Sequence, residues 1–311
     1  MPLETLPVIS LNSDPATLSR ELGDSFQTFG FAMIKDHGVD PALIAHAWAL
    51  TAQFFALPED EKRKYHLTGK GGARGYTPFG TEIAKGAKLH DLKEFWHVGR
   101  DLPAGHALSD SMPPNVWPAQ PEQFRETFEA LYAEFDKVGA RILSRIAGWL
   151  GLDQHWFDPA IDEGNSVMRL LHYPPIPDAE TGAIRAGAHE DINLITLLLG
   201  AEEAGLELLA KDGNWIGVSP PDGAMVVNIG DMLQRLTNHV LPSTTHRVRN
   251  PAGERARHSR YSMPFFLHLR SDFPFETLPQ CITPENPDRY PVSITADDYL
   301  QERLREIGLK K

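Results

Sequence analysis

Seven short runs of apolar and β-branched residues follow one another from Ser166 onward, and their rhythm constrains the fold more than any other feature of the sequence. Residues typical of turns, namely Gly, Pro, Asp and Asn, separate the runs at intervals of roughly 10–20 residues. In chain order the runs are SVMRLLHY, INLITLLL, GLELLA, WIGVSP, AMVVNIG, THRVRN and RYSMPFFLHL. This spacing is typical of a sandwich or a barrel and not of repeated βαβ units, so we expect a β-rich core.

The first part of the chain predicts a mixture of helices and strands. Short strands are expected at residues 7–11 and 31–38, and the helical spacing of apolar residues predicts helices over residues 15–29 and 41–55. Residues 68–121 contain many glycines and prolines, which indicates irregular structure. A loop-rich region of this length is uncommon unless it covers a site.

The clearest helix of the chain is predicted from Glu122 to Leu150. Apolar side chains recur there at i, i+3 and i+4, and Gly151 is the residue type that commonly ends a helix. A further helical segment is expected over residues 296–309. Together with the strand rhythm, these segments predict a mainly β fold with flanking helices, of the α+β class.

Charge and cysteine content narrow the possible partners and the cellular setting. The formal net charge of -12 and the pI near 5.5 disfavour a broad basic surface, so neither nucleic acid nor a membrane is expected as a partner. The single cysteine, Cys281, has no second cysteine for an internal disulfide. Because no apolar run approaches the length of a membrane span and the N-terminus lacks the pattern of a signal peptide, we expect a cytoplasmic setting.

Two residue types that bind metals stand one residue apart in the stretch AHED. In a strand, side chains at i and i+2 share a face, so His189 and Asp191 can converge on one ion while Glu190 faces away. His246 lies 57 residues after His189 in another strand-like segment. Two histidines and one carboxylate on one face of an octahedron are the arrangement used by non-haem Fe(II) oxygenases, because it leaves positions open for the cosubstrate and O₂.

A possible anion receptor follows in the same half of the chain. Arg260 and Ser262 share one face of the last predicted strand. A guanidinium fork beside a hydroxyl is a good receptor for a carboxylate, such as the end of a 2-oxo acid remote from its metal-chelating end. The β-rich half therefore predicts a metal site together with a carboxylate site.

These motifs, His189-x-Asp191, His246 and Arg260-x-Ser262, resemble in order and spacing those of the Fe(II)/2-oxoglutarate-dependent oxygenases of the isopenicillin N synthase-like group. The likeness extends over most of the chain, through the stretches LPVI, GFAMIKDHG, FFALPEDEK and RLLHYPP. In the last of these, Tyr173 matches the tyrosine that the family supplies to the 2-oxoglutarate carboxylate. Leu171 departs from the family pattern, because many members have asparagine at that position.

The resemblance implies a double-stranded β-helix, or jelly roll, which we expect over residues 166–280 of a single catalytic unit spanning residues 1–311. Residues 1–121 would form a mixed α/β and loop-rich region, and residues 122–165 a backing helix. Residues 281–311 would form a helical cap.

The same resemblance implies a set of ligands. Fe(II) would be bound by His189, Asp191 and His246, and the cosubstrate 2-oxoglutarate would be held by Arg260, Ser262 and Tyr173. With O₂, such an enzyme oxidises a small molecule and releases succinate and CO₂; hydroxylation is the usual outcome, and desaturation and ring closure also occur in the family. The candidates for contacts with the primary substrate are Arg74, Tyr76, Phe95 and Phe266.

Three other functions fit parts of this pattern. An oxidase of the isopenicillin N synthase type uses the same fold and metal without 2-oxoglutarate, and it also carries the Arg-x-Ser pair. A zinc hydrolase could use two histidines and a carboxylate, but Arg260, Ser262 and Tyr173 would then have no purpose. A non-catalytic sensor could keep the fold for binding alone, although it would not need a complete set of metal ligands.

Overall fold

The computed structural model describes residues 5–67, 73–81, 90–176, 185–199, 205–251 and 253–306. Two main β-sheets form its centre. The strands are β1 (Val8–Ser10), β2 (Phe31–Lys35), β3 (Gly75–Thr77), β4 (Glu94–Gly99), β5 (Val167–Tyr173), β6 (Ala186–His189), β7 (Ile195–Leu199), β8 (Leu206–Leu209), β9 (Trp215–Gly217), β10 (Met225–Ile229), β11 (His246–Val248), β12 (Arg260–Leu267), β13 (Pro274–Phe275) and β14 (Ile294–Thr295). The larger sheet has the order β1-β2-β10-β7-β12-β5-β4-β3, the smaller one has the order β6-β11-β8-β9, and β13 pairs with β14.

Helices surround the larger sheet. They are α1 (Pro15–Phe29), α2 (Pro41–Phe55), α3 (Glu59–Arg63), α4 (Phe124–Trp149), α5 (Asp158–Ile161), α6 (Asp231–Leu236) and α7 (Ala296–Glu306). Helices α1 and α2 begin at residues 15 and 41, where the carboxylates of Asp14 and Asp40 accept hydrogen bonds from first-turn amides and a proline occupies the first helical position. The predicted helices at residues 15–29 and 41–55 are therefore confirmed.

The larger sheet is buried on both faces, and its side chains alternate between two apolar layers. In β2, Ala32 and Ile34 face the helices, whereas Phe31 and Met33 join a layer with side chains of the smaller sheet such as Leu208. The two sheets thus face each other across an apolar layer, as in a jelly roll. The predicted mainly β core with flanking helices is confirmed.

Helix α4 covers the outer face of the larger sheet, as the apolar spacing of residues 122–150 predicts. Its Phe135 packs against Phe265 of β12, with the ring centroids 5.5 Å apart. At Gly139 the helix approaches the sheet so closely that an added Cβ would lie 2.2 Å from Leu267 Cδ1. The large aromatic residues of the helix are therefore part of the core that supports the sheet.

The N-terminal region contributes more to the sheet than its glycine-rich sequence predicts. Strands β3 and β4 lie inside the region expected to be irregular, and β4 pairs with β5 over its whole length. All six residues of β4 are buried, including Glu94 and His97, so the strand lacks the polar and apolar alternation that marks a half-buried strand. With β1 and β2, the larger sheet extends well outside residues 166–280. Residues 68–72 and 82–89 of the predicted loop region lie outside the described residues.

A buried polar cluster explains how β4 carries a charge inside the fold. Glu94 accepts hydrogen bonds from Lys62 Nζ at 2.7 Å and from the hydroxyl of Tyr76, and its other oxygen lies 2.7 Å from His172 Nδ1. Burial acts to raise the pKa of Glu94, but His172, Lys62 and Tyr76 outweigh it and hold the pKa below its usual value. The carboxylate is therefore ionised and paired.

The C-terminal helix is present where the sequence predicts one. Helix α7 covers residues 296–306 of the predicted 296–309, and residues 307–311 lie outside the described residues. None of the helices in the described part of the chain has the length and apolar character needed to cross a bilayer.

Replacing Gly30 with alanine should destabilise the fold by about 2 kcal/mol or more, because Gly30 has a left-handed φ of 68° and no room for a side chain. An added Cβ would lie 2.3 Å from Thr244 Oγ1 and 2.6 Å from the Pro242 carbonyl oxygen. Urea denaturation gives the free energy of unfolding. The control is Gly213→Ala, which shares a positive φ of 86° but has nothing within 4 Å. Equal losses for the two variants would contradict the steric argument.

Candidate active site

His189, Asp191 and His246 come together at one end of the smaller sheet. His189 is the last residue of β6, His246 is the first residue of β11, and the two are direct partners in the antiparallel pairing. Their ring centroids are 4.4 Å apart, and each Nε2 lies 3.8 Å from an oxygen of Asp191. Potential ligand atoms of the three residues all lie within 4.8 Å of one another. Among the described residues, this is the one such group of metal-binding side chains.

Each histidine is oriented by a backbone carbonyl. Nδ1 of His189 lies 2.7 Å from the Gly187 oxygen, and Nδ1 of His246 lies 3.2 Å from the Thr244 oxygen. A carbonyl can only accept a hydrogen bond, so the proton of each neutral ring belongs on Nδ1. The lone pair on each Nε2 then faces Asp191, which is the arrangement that a metal-binding imidazole needs.

Asp191 lies beyond the end of β6, so the strand alternation invoked from the sequence does not by itself orient this residue. The Asp191 carboxylate is positioned by two other strands: its Oδ2 accepts hydrogen bonds from Thr196 Oγ1 of β7 at 2.5 Å and from Asn228 Nδ2 of β10 at 2.9 Å. Asn193 Nδ2 in turn donates to Thr196 Oγ1 at 3.0 Å. With Oδ2 occupied in this way, Oδ1 is the oxygen available to a cation. The sequence offered no signal for Thr196 or Asn228, since both lie in apolar strand runs.

The electrostatics of Asp191 and His189 favour the protonation states in which these two residues bind metals. Burial acts to raise the pKa of Asp191, but His246, His189 and the hydrogen bonds from Asn228 and Thr196 outweigh it and lower the pKa. The surrounding protein and the neighbouring His246 lower the pKa of His189, although this side chain stays 42% exposed at the rim of the site. Near neutral pH the site thus combines an ionised carboxylate with a neutral His189 ring.

Arg260, Ser262 and Tyr173 form a second polar group on two adjacent strands. Arg260 of β12 pairs with Tyr173 of β5 in the sheet register, and its guanidinium carbon lies 5.0 Å from the centroid of the tyrosine ring. All three residues are buried. Within the described residues, Nε and Nη1 of Arg260 have no hydrogen-bond partner. Buried guanidinium nitrogens of this kind are able to bind an anion.

A second arginine, which sequence reasoning missed, lies on the same tyrosine. The guanidinium carbon of Arg185 is 5.8 Å from the ring centroid of Tyr173, and Nη2 donates a hydrogen bond to the His258 carbonyl at 3.3 Å. Arg185 is completely buried. Arg185 lies four residues before His189, and this proximity in sequence was the one signal that could have suggested a place near the site.

The four candidates for substrate contacts separate into two pairs. Phe95 and Phe266 both contact the guanidinium of Arg169, whose carbon lies 4.3 Å and 5.4 Å from their ring centroids. Phe266 is also the direct neighbour of Thr196 in the sheet, next to the residue that holds Asp191.

Arg74 and Tyr76 lie elsewhere. Tyr76 faces the helices, packs against Phe54 and donates hydrogen bonds to Glu94 and Glu59, while Arg74 is buried against Gly99. The structure does not bring this pair together with the three metal-binding residues. For Tyr76, the pairing with Trp96 is the reason, because both side chains share the face of the sheet that packs on α2.

Two histidines that the sequence did not single out as site residues are His97, beside Arg169, and His268, within electrostatic reach of Asp191. Nε2 of His97 is 2.5 Å from Nε of Arg169. Nδ1 of His268 is buried without a hydrogen-bond partner in the described part of the chain. Burial lowers the pKa of His268 to about 4 against the opposing influence of Asp191, so the ring is neutral near pH 7.

Comparisons with known proteins agree with this geometry. Residues 6–120 match the family described as non-haem dioxygenase in morphine synthesis N-terminal, and residues 164–269 match the 2OG-Fe(II) oxygenase superfamily. A 2-oxoglutarate-Fe(II) type oxidoreductase of Emericella nidulans is 33% identical over 301 residues, which cover 94% of this chain and 85% of that protein.

Solved structures show the same likeness over nearly the whole chain. A 2OG-Fe(II) oxygenase family protein from Caulobacter crescentus has a TM-score of 0.92 at 54% identity, with 98% of this chain and 100% of that chain covered. A full-length Neurospora crassa protein in complex with α-ketoglutarate, which is 2-oxoglutarate, has a TM-score of 0.86 at 28% identity, with 96% and 95% covered. These relatives favour a 2-oxoglutarate-dependent enzyme over an oxidase that uses no 2-oxoglutarate. The chain therefore belongs to the 2OG-Fe(II) oxygenase superfamily, in its isopenicillin N synthase-like group, and is a dioxygenase that uses Fe(II), 2-oxoglutarate and O₂ to oxidise a small molecule.

Proposed function

We propose that His189, Asp191 and His246 are the Fe(II) ligands of this dioxygenase. The observation that carries the proposal is the convergence of one nitrogen from each imidazole and one carboxylate oxygen within 4.8 Å of one another, with both Nε2 atoms 3.8 Å from Asp191. Two histidines and one carboxylate match the donor set of non-haem Fe(II) sites that keep positions open for other ligands. The fixed Nδ1 contacts of both rings support the assignment, because they leave Nε2 free for the ion.

Arg260, Ser262 and Tyr173 are proposed to hold the carboxylate of 2-oxoglutarate that is remote from the iron. Arg260 offers two buried nitrogens that lack partners among the described residues, and Ser262 follows on the same strand face. Leu171 is the register neighbour of Ser262 and packs with Phe95 and Tyr173, so the adjacent wall is apolar. An apolar wall strengthens the attraction between the guanidinium and a carboxylate by excluding water.

The protein's own residues bind and orient the reactants. When bound, Fe(II) and 2-oxoglutarate would supply the oxidising chemistry together with O₂ as the oxidant, and the cosubstrate would leave as succinate and CO₂. Thr196 and Asn228 keep one oxygen of Asp191 occupied and thereby direct the other toward the cation. Arg260 fixes one end of the cosubstrate, which orients its other end toward the three metal ligands.

The primary substrate is proposed to be a small molecule that lies near Phe95 and Phe266. Two observations support this proposal: both rings flank Arg169, and Phe266 is the register neighbour of Thr196, which donates to the proposed iron ligand Asp191. Hydroxylation is the proposed outcome, with desaturation and ring closure as alternatives. Arg74 and Tyr76 stay candidates from the sequence, but their contacts in the structure do not support this role.

A single catalytic unit over residues 1–311 is proposed because strands from both halves of the chain share the larger sheet. The cytoplasmic setting and the lack of a nucleic-acid or membrane partner stay predictions from composition.

An anaerobic titration tests the proposal before any substrate is known. Fe(II) and then 2-oxoglutarate are added to metal-free protein while visible absorption is recorded, and succinate is measured after O₂ is admitted. We expect a charge-transfer band that requires both additions, followed by slow succinate release. A band that forms with Fe(II) alone and does not change with 2-oxoglutarate, without succinate, would contradict the assignment of Arg260 and its neighbours.

Thr196→Val should weaken Fe(II) binding about tenfold while leaving the fold intact, because valine keeps the shape of threonine but cannot donate to Asp191. Anaerobic competition with a chromogenic chelator gives the dissociation constant of Fe(II). The control is Thr51→Val, which removes an equally buried hydroxyl that donates to the Ala47 carbonyl within α2. An unchanged Fe(II) affinity in Thr196→Val would show that this hydrogen bond does not orient the ligand.

A further inference from the structure

The start of α6 is bonded directly to the chain segment that carries Asp191. The amide of Asp231 donates to the carbonyl oxygen of Asp191 at 2.7 Å, and the amide of Met232 donates to the carbonyl of Asn193 at 3.1 Å. The amide of Gly230 donates to the carbonyl of Leu194 at 2.9 Å. Three successive amides thus hold the turn that follows β6. Movement of this helix start would move Asp191 with it.

The C-terminal helix reaches the same point through an ion pair. Nη2 of Arg303 in α7 lies 2.8 Å from Oδ2 of Asp231, whose side chain is only 3% exposed. Among the residues that the structure describes, Arg303 is the one cation within ion-pair distance of this carboxylate. Asp231 also lies within electrostatic reach of Asp191, so the region holds two buried carboxylates of which one is paired by Arg303.

The remainder of α6 is also bound by residues 274–306, which we call the C-terminal segment. Arg235 lies among three aromatic rings of that segment, with its guanidinium carbon 4.3 Å, 5.2 Å and 5.3 Å from the ring centroids of Tyr290, Phe275 and Tyr299. The amide of Leu278 donates to the carbonyl of Leu236 at 2.8 Å. The C-terminal segment therefore contacts both ends of α6, at Asp231 and at Leu236, although it supplies none of the proposed iron ligands.

We propose that Arg303 of the C-terminal helix is a positioning residue for the metal site, which acts through Asp231 on the iron ligand Asp191. The proposal rests on the assignment of Asp191 as an Fe(II) ligand. Loss of Arg303 leaves the Asp231 carboxylate buried without its cation, which is destabilising. Movement of this carboxylate toward water would reduce that cost. That movement would draw the Asp231 amide away from the Asp191 carbonyl and disturb the ligand that Thr196 and Asn228 orient.

The test compares variants of the full-length protein in their Fe(II) affinity, measured anaerobically by chelator competition. We expect Arg303→Met to raise the Fe(II) dissociation constant about tenfold, and Arg303→Lys to recover most of the loss because lysine restores the charge. The binding constant of 2-oxoglutarate at saturating Fe(II) should stay unchanged. Arg305→Met is the matched control, because Arg305 is an exposed arginine of the same helix. Thermal melting of the metal-free proteins shows whether a difference in stability between the two methionine variants accounts for their difference in Fe(II) affinity.

A second variant makes the result independent of the stability of Arg303→Met. Asp231→Asn removes the charge that Arg303 pairs with, and should itself weaken Fe(II) binding. In the double variant the two effects should not add, because both act on one ion pair. Fe(II) affinity within about twofold of wild type in folded Arg303→Met protein, or fully additive effects, would overturn the proposal.

The Asp191→Ala variant distinguishes failure of the Fe(II) ligand assignment from failure of the positioning role of Arg303. If Asp191→Ala binds Fe(II) normally, the ligand assignment is wrong and the positioning role falls with it. If Asp191→Ala loses Fe(II) while Arg303→Met binds it as wild type does, the metal site stands and only the role of Arg303 is overturned.

Discussion

We expect the His246→Ala protein to lose Fe(II) and to fall to background turnover. Removal of an outer contact to a metal ligand costs roughly 10–100-fold in affinity, so removal of the ligand itself should cost more than about 100-fold. His246 is 9% exposed and packs edge-on against Phe31, with ring centroids 5.5 Å apart. Among the described residues, the group of metal-binding side chains contains no fourth member that could replace it. Iron content after gel filtration and the anaerobic dissociation constant of Fe(II) measure the effect.

His258→Ala is the matched control for this experiment. Its imidazole is 65% exposed, and the contact that His258 makes with Arg185 uses its backbone carbonyl, which the substitution preserves. The control should therefore retain iron and activity. Normal iron content in His246→Ala would mean that the metal is held elsewhere, and the assignment of all three ligands would have to be abandoned.

Arg260→Ala should raise the KM for 2-oxoglutarate by about 100-fold or more, while the Fe(II) dissociation constant stays close to that of wild type. Removing one partner of a buried ion pair costs about 3–5 kcal/mol, and each 1.4 kcal/mol corresponds to a factor of about ten in affinity. Arg260 is buried, so water cannot replace the guanidinium. Steady-state succinate formation at varied 2-oxoglutarate gives KM, and chelator competition gives the affinity for iron.

Two further variants define what the Arg260 result means. Arg260→Lys should fall between wild type and alanine, because an ammonium keeps the charge but not the two-pronged geometry. Arg257→Ala removes a guanidinium that is 74% exposed three residues away, and should leave KM unchanged. If Arg260→Ala also leaves KM unchanged, the cosubstrate carboxylate is bound by another cation, of which Arg185 beside Tyr173 is the first to test.

The parts of the fold that the sequence predicts well are those with local signals. Helical apolar spacing marks α1, α2 and α4, so these elements lie where predicted, and an Asp followed by Pro begins the first two. The spacing of His189, Asp191 and His246 predicts a cluster that the structure contains. That cluster could be recognised before the fold was known, because its residues and Arg260-x-Ser262 match the order and spacing of a known family.

The remaining features depend on contacts between distant segments. Strand β4 is hidden from the sequence because Glu94 is neutralised by Lys62, which comes from another part of the chain. Tyr76 lies in a loop-rich stretch that suggested a substrate contact, yet its pairing with Trp96 turns it toward the helices. The ion pair between Arg303 and Asp231 joins residues that are far apart in the sequence and share no motif. Such features become visible only when the chain is folded.

The metal ligands and the carboxylate receptor lie on strands that differ in local stability, because His189 is on an edge strand and Arg260 is on a central one. Among the described strands, β6 lies at the edge of the smaller sheet with β11 as its one hydrogen-bonded neighbour, whereas β12, which carries Arg260, lies between β5 and β7. An edge strand opens at a lower free energy than a central one, because fewer hydrogen bonds and apolar contacts are broken. Local opening of β6 would displace one proposed metal ligand, His189, while the carboxylate receptor stays in place. Iron could then be lost and regained without unfolding of the central sheet.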